Sequence, residues 1–254
     1  MVRPVIDCSE ALVVRYTNYG ESDRVVTLLT AEQGLISGFA PGARNSRRRF
    51  GPALQLFSHI QIYWQRGNRG GLRQLREAEL LAPAERVMAN LEAWALAAYG
   101  CELAVHLFPE EQPLPEIFRL LRDYLNALSP GENLAETRLL YELRLLDRSG
   151  LLPHLGHCAR CWRGLPDSQV GFDAAGGGAL CPDCGGLAAP LRVSALSLGS
   201  LSRLLRLDRG CFGGVRLSAR TLDEGRSVLG QILEEVLARP LRSEPFIALF
   251  RDLV

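Results

Sequence analysis

The feature that most limits how this chain can fold is a pair of CxxC motifs. Cys158 and Cys161 form the first motif, Cys181 and Cys184 form the second, and nineteen residues separate them. Two tight turns at this spacing can place four sulfurs around one tetrahedral ion, an arrangement typical of zinc sites. Two buried reduced pairs or a disulfide are the alternatives. The spacing favours one structural Zn²⁺ in a module of about residues 153–190.

The other potential metal ligands fit that interpretation. His154 and His157 flank the first motif and could replace a cysteine, but four thiolates already complete a tetrahedral shell, so we do not expect them to bind the ion. A closed shell of four cysteines leaves no position for a reactive water, so we expect a structural role. The remaining cysteines, which are expected to be small buried hydrophobic residues, are Cys8, Cys101 and Cys211. His59 and His106 lie in apolar runs and are also expected in the core.

The first eighty residues favour β structure. Short apolar runs separated by polar or glycine-containing turns predict five strands, at residues 11–14, 25–29, 35–40, 54–64 and 71–81. Residues 30–34 suit a hairpin turn, with Gly34 available for a positive φ. Five short strands in this length favour a small closed barrel of the oligonucleotide-binding (OB) type.

A helical pattern begins after Pro83. Apolar residues recur with helical periodicity over residues 85–107, and further helices are predicted at 116–128 and 134–148. Ser194 is expected to cap a helix that ends near residue 207, and Ser218 a helix that ends near 237. The predicted fold class is therefore α+β. An OB-fold domain covers residues 1–82, and a helical domain with an inserted four-cysteine zinc module covers 83–254.

Arginines are concentrated in the predicted barrel loops. Residues 42–51 place Arg44, Arg47, Arg48 and Arg49 between the third and fourth strands, and Arg66 and Arg69 lie in the turn between the last two. Guanidinium groups grip phosphate oxygens and stack on bases, so this loop predicts contact with nucleic acid, although a solvated charged loop is the alternative. Nearby aromatic residues could stack on bases, but we expect most of them in the barrel interior: Phe39, Phe50, Phe57, Tyr63 and Trp64.

Composition excludes several classes of function. The chain contains 29 basic residues, and none is lysine, so a phosphate-binding loop with its lysine, a pyridoxal Schiff base and a Ser-x-x-Lys hydrolase are impossible. No HExxH, Ser–His–Asp or deaminase pattern stands out, and we do not expect an enzyme. No apolar run suggests a membrane span or a signal peptide, so a cytoplasmic location, associated with the nucleoid, is expected.

An ordered set of segments carries a family resemblance, at residues 10–30, 34–44, 54–58, 118–121, 138–142, 150–153, 172–184 and 241–243. With these segments the sequence resembles the RecO family of bacterial DNA repair proteins. It implies an N-terminal OB domain joined to a helical domain that carries the zinc module. It also implies binding of single- and double-stranded DNA, annealing of complementary strands, and loading of RecA onto DNA coated with single-strand-binding protein. The implied partners are RecR and the acidic C-terminal tail of that coating protein.

Carried over to this sequence, the resemblance assigns zinc to the four CxxC cysteines and DNA to the arginines of the barrel. The arginines expected to contact DNA are Arg15, Arg24, Arg44, Arg47, Arg48, Arg49, Arg66 and Arg69. Trp162 departs from the family, which often has glycine after the first CxxC. The tryptophan could loosen the metal site or act as a packing anchor. A zinc-stabilised adaptor without annealing activity and a metal-dependent enzyme acting on nucleic acid remain as alternatives.

Overall fold

The computed structural model describes residues 6–65, 71–129, 133–185, 187–207 and 212–251. The chain forms two compact units. The first contains the residues up to 130 together with those from 241 onward, and the second contains residues 131–240. The predicted division at residues 82 and 83 follows the end of the last barrel strand rather than the outlines of these units.

The first unit contains the predicted barrel. Its strands are β1 (Asp7–Tyr19), β2 (Asp23–Thr30), β3 (Gly34–Ala40), β4 (His59–Gln65) and β5 (Arg73–Ala82). They close in the order β1-β2-β3-β5-β4, with β4 returning to pair with β1. Only the β3–β5 pairing is parallel among these strands. This is the OB-like arrangement that the sequence predicts, and the α+β fold class is confirmed.

Alternate side chains along the strands fill the barrel. Val26 and Leu28 point inward from β2, and Ile60, Ile62 and Trp64 point inward from β4. The strand predictions rest on apolar runs between turns, and this two-residue alternation determines which of those residues face the interior. The turn between β2 and β3 also forms as predicted, since Gly34 adopts a φ of 65°.

Two strands differ from their predicted bounds by four residues or more. The fourth strand begins at His59 instead of residue 54, because Phe57 adopts a φ of 67° and interrupts the extended backbone. The Phe57 N–H nevertheless donates to the Val13 carbonyl at 2.8 Å, which holds this turn against β1. The first strand is longer than predicted because polar outward-facing residues extend it beyond the apolar run.

Seven helices are described. They are α1 (Glu85–Met88), α2 (Leu91–Leu107), α3 (Pro115–Ala127), α4 (Leu134–Ser149), α5 (Ala195–Leu204), α6 (Ala219–Val236) and α7 (Glu244–Arg251). The single helix predicted over residues 85–107 is wrong. Asn90 interrupts it, because its side chain accepts from the Ala93 N–H at 3.0 Å and starts a new helix. Ser194 and Ser218 cap α5 and α6 as predicted, whereas α7 was not predicted.

The second unit combines helices with a small antiparallel sheet. The strands β6 (Gln169–Asp173), β7 (Gly178–Leu180) and β8 (Leu191–Ser194) pair in the order β7-β6-β8, next to a short 3₁₀ helix at Pro182–Cys184. In sequence, β6 and β7 lie between the two CxxC motifs, and β8 follows the second motif. None of the helices in the described ranges is long and apolar enough to cross a membrane.

Candidate metal centre and nucleic-acid surface

The four CxxC cysteines converge in the second unit. The sulfurs of Cys158, Cys161, Cys181 and Cys184 all lie within 4.8 Å of one another, and the Cys161 and Cys181 sulfurs are 3.8 Å apart. All four are free thiols, so the disulfide alternative does not apply. The cluster could hold a metal ion. His154 and His157 lie outside this donor group, as expected.

Tight turns bring the two motifs together. In the first, the Trp162 N–H donates to the Cys158 carbonyl at 2.9 Å; in the second, the Cys184 N–H donates to the Cys181 carbonyl at 3.1 Å. Gly178, on β7, has a φ of 124°, and a Cβ there would overlap the backbone of His154. Glycine at this position therefore lets the chain before the first motif approach β7 closely.

Hydrogen bonds and mutual repulsion separate the acidities of the thiols. Burial opposes ionisation of Cys158, but backbone N–H groups of Cys181, Cys161 and Arg160 lower its pKa to about 6. Hydrogen bonds from the Cys184 thiol to Cys181 and Cys161 raise the pKa of Cys184 to about 12. One thiolate thus forms readily, whereas a full set of four requires a cation among them.

The burial predictions for the remaining cysteines and histidines are partly correct and partly wrong. Cys101 is buried as expected, but Cys8 is exposed on the outer side of β1. Cys211 lies outside the described residues. His59 and His106 are only partly buried, and each contacts a carboxylate, Glu10 at 3.0 Å and Glu102 at 3.8 Å respectively.

Arginines gather at the end of the barrel where β1 meets β2. The Arg24 guanidinium lies 4.2 Å over the Tyr16 ring and donates to the Leu54 carbonyl at 3.2 Å. Arg44 donates to the Glu21 carbonyl at 2.8 Å. These bonds attach the β3–β4 loop and the β1–β2 turn to the same end of the barrel.

Two further contacts fix that loop. The Arg49 side chain donates to the Pro41 carbonyl at 2.7 Å. Asp23 accepts from the Gly42 N–H at 2.7 Å and from the Ser22 hydroxyl at 2.8 Å, and the Gly42 bond is the main reason that the pKa of Asp23 is lowered. A charged acceptor therefore links the start of the loop to β2.

The other predicted arginines differ in their surroundings. Arg15, Arg47 and Arg48 are exposed, and within the described part of the chain no hydrogen bond or ion pair occupies their side chains. Arg66 and Arg69 lie outside the described residues. The structure therefore bonds Arg24, Arg44 and Arg49 each to a backbone carbonyl and leaves Arg47 and Arg48 as exposed cations on the β3–β4 loop.

The aromatic residues divide between the core and the surface. Phe50, Phe57 and Trp64 are buried as predicted, whereas Phe39 and Tyr63 are only partly buried. The exposed Tyr19, which sequence reasoning missed, contacts Phe39 edge to face at 5.9 Å between centroids. Its position in a run of polar residues gave no signal that it would meet Phe39.

The charge around Tyr63 differs from that around Tyr19. The negative charge of Glu79 is the largest cause of the raised pKa of Tyr63, and Glu77 adds to it. Tyr63 therefore lies on an acidic side of the barrel, where a phosphate backbone would be repelled. Tyr19 and Phe39 instead lie on strands that lead into the arginine-rich end.

Comparison with known proteins identifies the family. Residues 8–84 match the family described as recombination protein O N terminal, and residues 88–245 match recombination protein O C terminal. The chain is 42% identical to DNA repair protein RecO of Syntrophotalea carbinolica over 240 residues, covering 94% of this chain and 93% of the relative. It is 37% identical to the protein of that name from Geobacter metallireducens, covering 94% and 96%. The chain therefore belongs to the recombination protein O (RecO) family.

Proposed function

We propose that this protein is a DNA-binding mediator of recombinational repair that acts by binding rather than by catalysis. It would anneal complementary strands and help to load RecA onto DNA coated with single-strand-binding protein. The observation that carries the proposal is the set of arginines at one end of an OB-like barrel, where Arg44 bonds to the turn that follows Tyr19 and Tyr19 contacts Phe39. Membership of a family named for recombination, with relatives named DNA repair proteins, supports it.

The arginines would contribute to DNA binding in two ways. Arg47 and Arg48 are exposed and free to reach phosphate oxygens. Arg44 and Arg49 each use part of their five N–H donors on backbone carbonyls, which orients the guanidinium while leaving other donors for a ligand. Tyr19 and Phe39 offer aromatic surface for unpaired bases.

Annealing follows from charge neutralisation. Two single strands repel each other through their phosphates, and a cationic surface that binds both lowers this repulsion. Binding of this kind weakens steeply as salt rises, because bound counterions are released from the DNA. A surface without a reactive group is sufficient for this activity.

We further infer that the cysteine cluster holds one Zn²⁺. In a regular tetrahedron with Zn–S bonds of about 2.3 Å, neighbouring sulfurs lie about 3.8 Å apart. The Cys161–Cys181 separation of 3.8 Å fits that geometry, and four sulfur donors suit zinc. Bound there, the ion would cross-link the two CxxC turns and leave no open coordination position for catalysis.

The partners belong to the same proposal. We assign the acidic, apolar tail of single-strand-binding protein to the arginine-rich region 191–254, and RecR as a second protein partner. Two apolar side chains on α7 suit the tail, because Phe246 and Leu249 are 58% and 63% exposed. Basic residues with exposed apolar neighbours complement an acidic, apolar peptide.

The first experiment replaces Arg47 and Arg48 together by alanine. Each lost phosphate contact lowers the salt slope of single-strand binding by about 0.7, so the double variant should lose up to about 1.4 in slope. Fluorescence anisotropy with a labelled single strand at several salt concentrations measures this. The matched control replaces Arg86 and Arg119, two exposed arginines on helices of the same unit, and should keep the wild-type slope.

The second experiment tests mediation directly. Complementary oligonucleotides coated with single-strand-binding protein should anneal faster with this protein present, and the Arg47/Arg48 variant should lose most of the acceleration. In the first experiment, an unchanged salt slope in the Arg47/Arg48 variant would show that the loop is not the DNA contact. Normal DNA binding without any acceleration would favour the adaptor function instead.

A further inference from the structure

Trp162 occupies an unusual backbone position beside the cysteine cluster. It follows Cys161 directly and has a φ of 62°, in the left-handed region. A bulky residue there is a conformational outlier, and glycine would adopt the same turn without the cost. The φ explains why glycine suits this position but not why an indole occupies it. The side chain is 64% exposed, so core packing does not explain it either.

Three rings form an aromatic platform, which consists of His154, His157 and Trp162. The His157 ring stacks on the indole with 4.7 Å between centroids and 24° between planes. The His154 ring contacts both others, also at 4.7 Å. Since His157 covers one face of the indole, the exposed area of Trp162 belongs to the opposite face and the edges. The platform thus presents a supported, flat apolar surface to solvent.

Two arginines accompany the platform in sequence. Residues 151–166 contain two arginines and two histidines but no aspartate or glutamate. Arg160 and Arg163 belong to the same turn and are exposed, although Arg160 also donates to the Cys184 carbonyl at 3.1 Å. An open aromatic face with guanidinium groups beside it is the combination that single-strand binding sites use for a base and its phosphates.

We propose that the aromatic platform stacks an unpaired base of single-stranded DNA on the free face of Trp162, while Arg160 and Arg163 contact the adjoining phosphates. This inference rests on the proposed DNA-binding function and adds a contact outside the barrel. It selects single strands, because the faces of bases within a duplex are already covered by their stacked neighbours. A duplex could use only the arginines.

Two variants at one position test the platform. Trp162→Gly removes the ring and fits the left-handed backbone, so the turn is retained; Trp162→Phe keeps a smaller ring. Stacking on one aromatic side chain contributes enough that the glycine variant should bind a labelled thymidylate strand roughly tenfold more weakly in dilute salt. The phenylalanine variant should stay within about threefold of wild type. Binding of a duplex of equal length should be unchanged in both.

Intrinsic fluorescence gives a second readout. Stacked bases quench an exposed indole, so the thymidylate strand should quench the wild-type protein but barely affect either variant, in which the buried Trp64 and the partly buried Trp94 remain. Unchanged strand affinity of Trp162→Gly, equal losses on strand and duplex, or an equal loss in Trp162→Phe would each overturn the platform. Failure of the wild-type protein to bind DNA in dilute salt would instead overturn the proposed function itself.

Discussion

Different interactions stabilise the barrel and the cysteine module. The barrel core contains fifteen buried apolar residues, drawn from all five strands and the β3–β4 loop. The cluster around the cysteines consists of Cys158, Leu180 and Cys181, packed against partly buried residues, while Val170 and Phe172 on β6 are buried outside it. Apolar burial can stabilise the barrel by itself, whereas the two CxxC turns contribute few large apolar side chains and are expected to need a cross-link.

This difference predicts different sensitivities. A core built from apolar side chains responds to the loss of volume and is indifferent to chelators. With the proposed zinc bound, a core built from thiols should respond to the loss of a ligand or of the ion, because metal binding and folding would be coupled there. Each experiment below perturbs one region and uses the other as its internal reference.

The largest effect is expected from Cys181→Ser. Structural zinc contributes on the order of 10–16 kcal/mol in isolated zinc-finger peptides, and much of that is lost when a thiolate ligand is removed. The variant should purify without zinc, and amides of β6 and β7 should exchange freely with solvent while those of β2 and β4 stay protected. Zinc analysis and hydrogen exchange measure both.

Cys8→Ser is the matched control for that experiment, because the Cys8 thiol is exposed on β1 and remote in sequence from the CxxC motifs. It should keep the full zinc content and wild-type protection. Protected β6 and β7 amides in zinc-free Cys181→Ser would show that the module folds without its ion, and the contrast between the two regions would fail.

The next largest effect is expected from Trp64→Ala in the barrel. Trp64 is 1% exposed, and its removal leaves a cavity that costs about 3–5 kcal/mol of unfolding free energy. Urea unfolding followed by circular dichroism measures the loss, and the zinc content should not change. Trp162→Gly is the control, since that side chain is exposed and glycine relieves the positive φ. A similar loss in both variants would contradict the assignment of one tryptophan to a core and the other to a surface.

The same contrast explains what could be predicted from sequence. The strands β2 and β3 were predicted because each contains a short apolar run bounded by polar or glycine-containing turns. The cysteine cluster was predicted because ligand spacing is a local property. In both cases the residues that carry the signal lie within one short stretch of the chain.

What could not be predicted depends on local conformation or on distant partners. Residues 54–58 are as apolar as a strand, but Leu54 fills the barrel while Phe57 turns out of the extended conformation. The bonds of Arg44 and Arg49 to backbone carbonyls join loops that the sequence does not pair. The contact of Tyr19 with Phe39 likewise depends on the register of three strands.

The smallest effect is expected at the C-terminal helix of the first unit. Glu102 on α2 accepts from the backbone N–H groups of Arg242 and Ser243, each at 2.9 Å, and from the Ser243 hydroxyl at 2.6 Å. Burial would raise the pKa of Glu102, but these bonds, the Ser243 hydroxyl first among them, lower it overall. The carboxylate therefore anchors the chain just before α7.

Because the folded pKa of Glu102 lies below its unfolded value, the stabilisation is fully present above the unfolded pKa of about 4.5 and is lost as pH falls through the folded value. Glu102→Gln should cost about 1 kcal/mol at neutral pH, and amides of α7 should exchange faster. Its unfolding free energy should also depend less on pH below 4.5 than that of the control Glu92→Gln on the same helix. Acid should act on the module in another way, by protonating thiolates and releasing the proposed ion, so zinc loss should follow the same pH course in both variants. A change in that course caused by Glu102→Gln would show that the two regions are not independently stabilised.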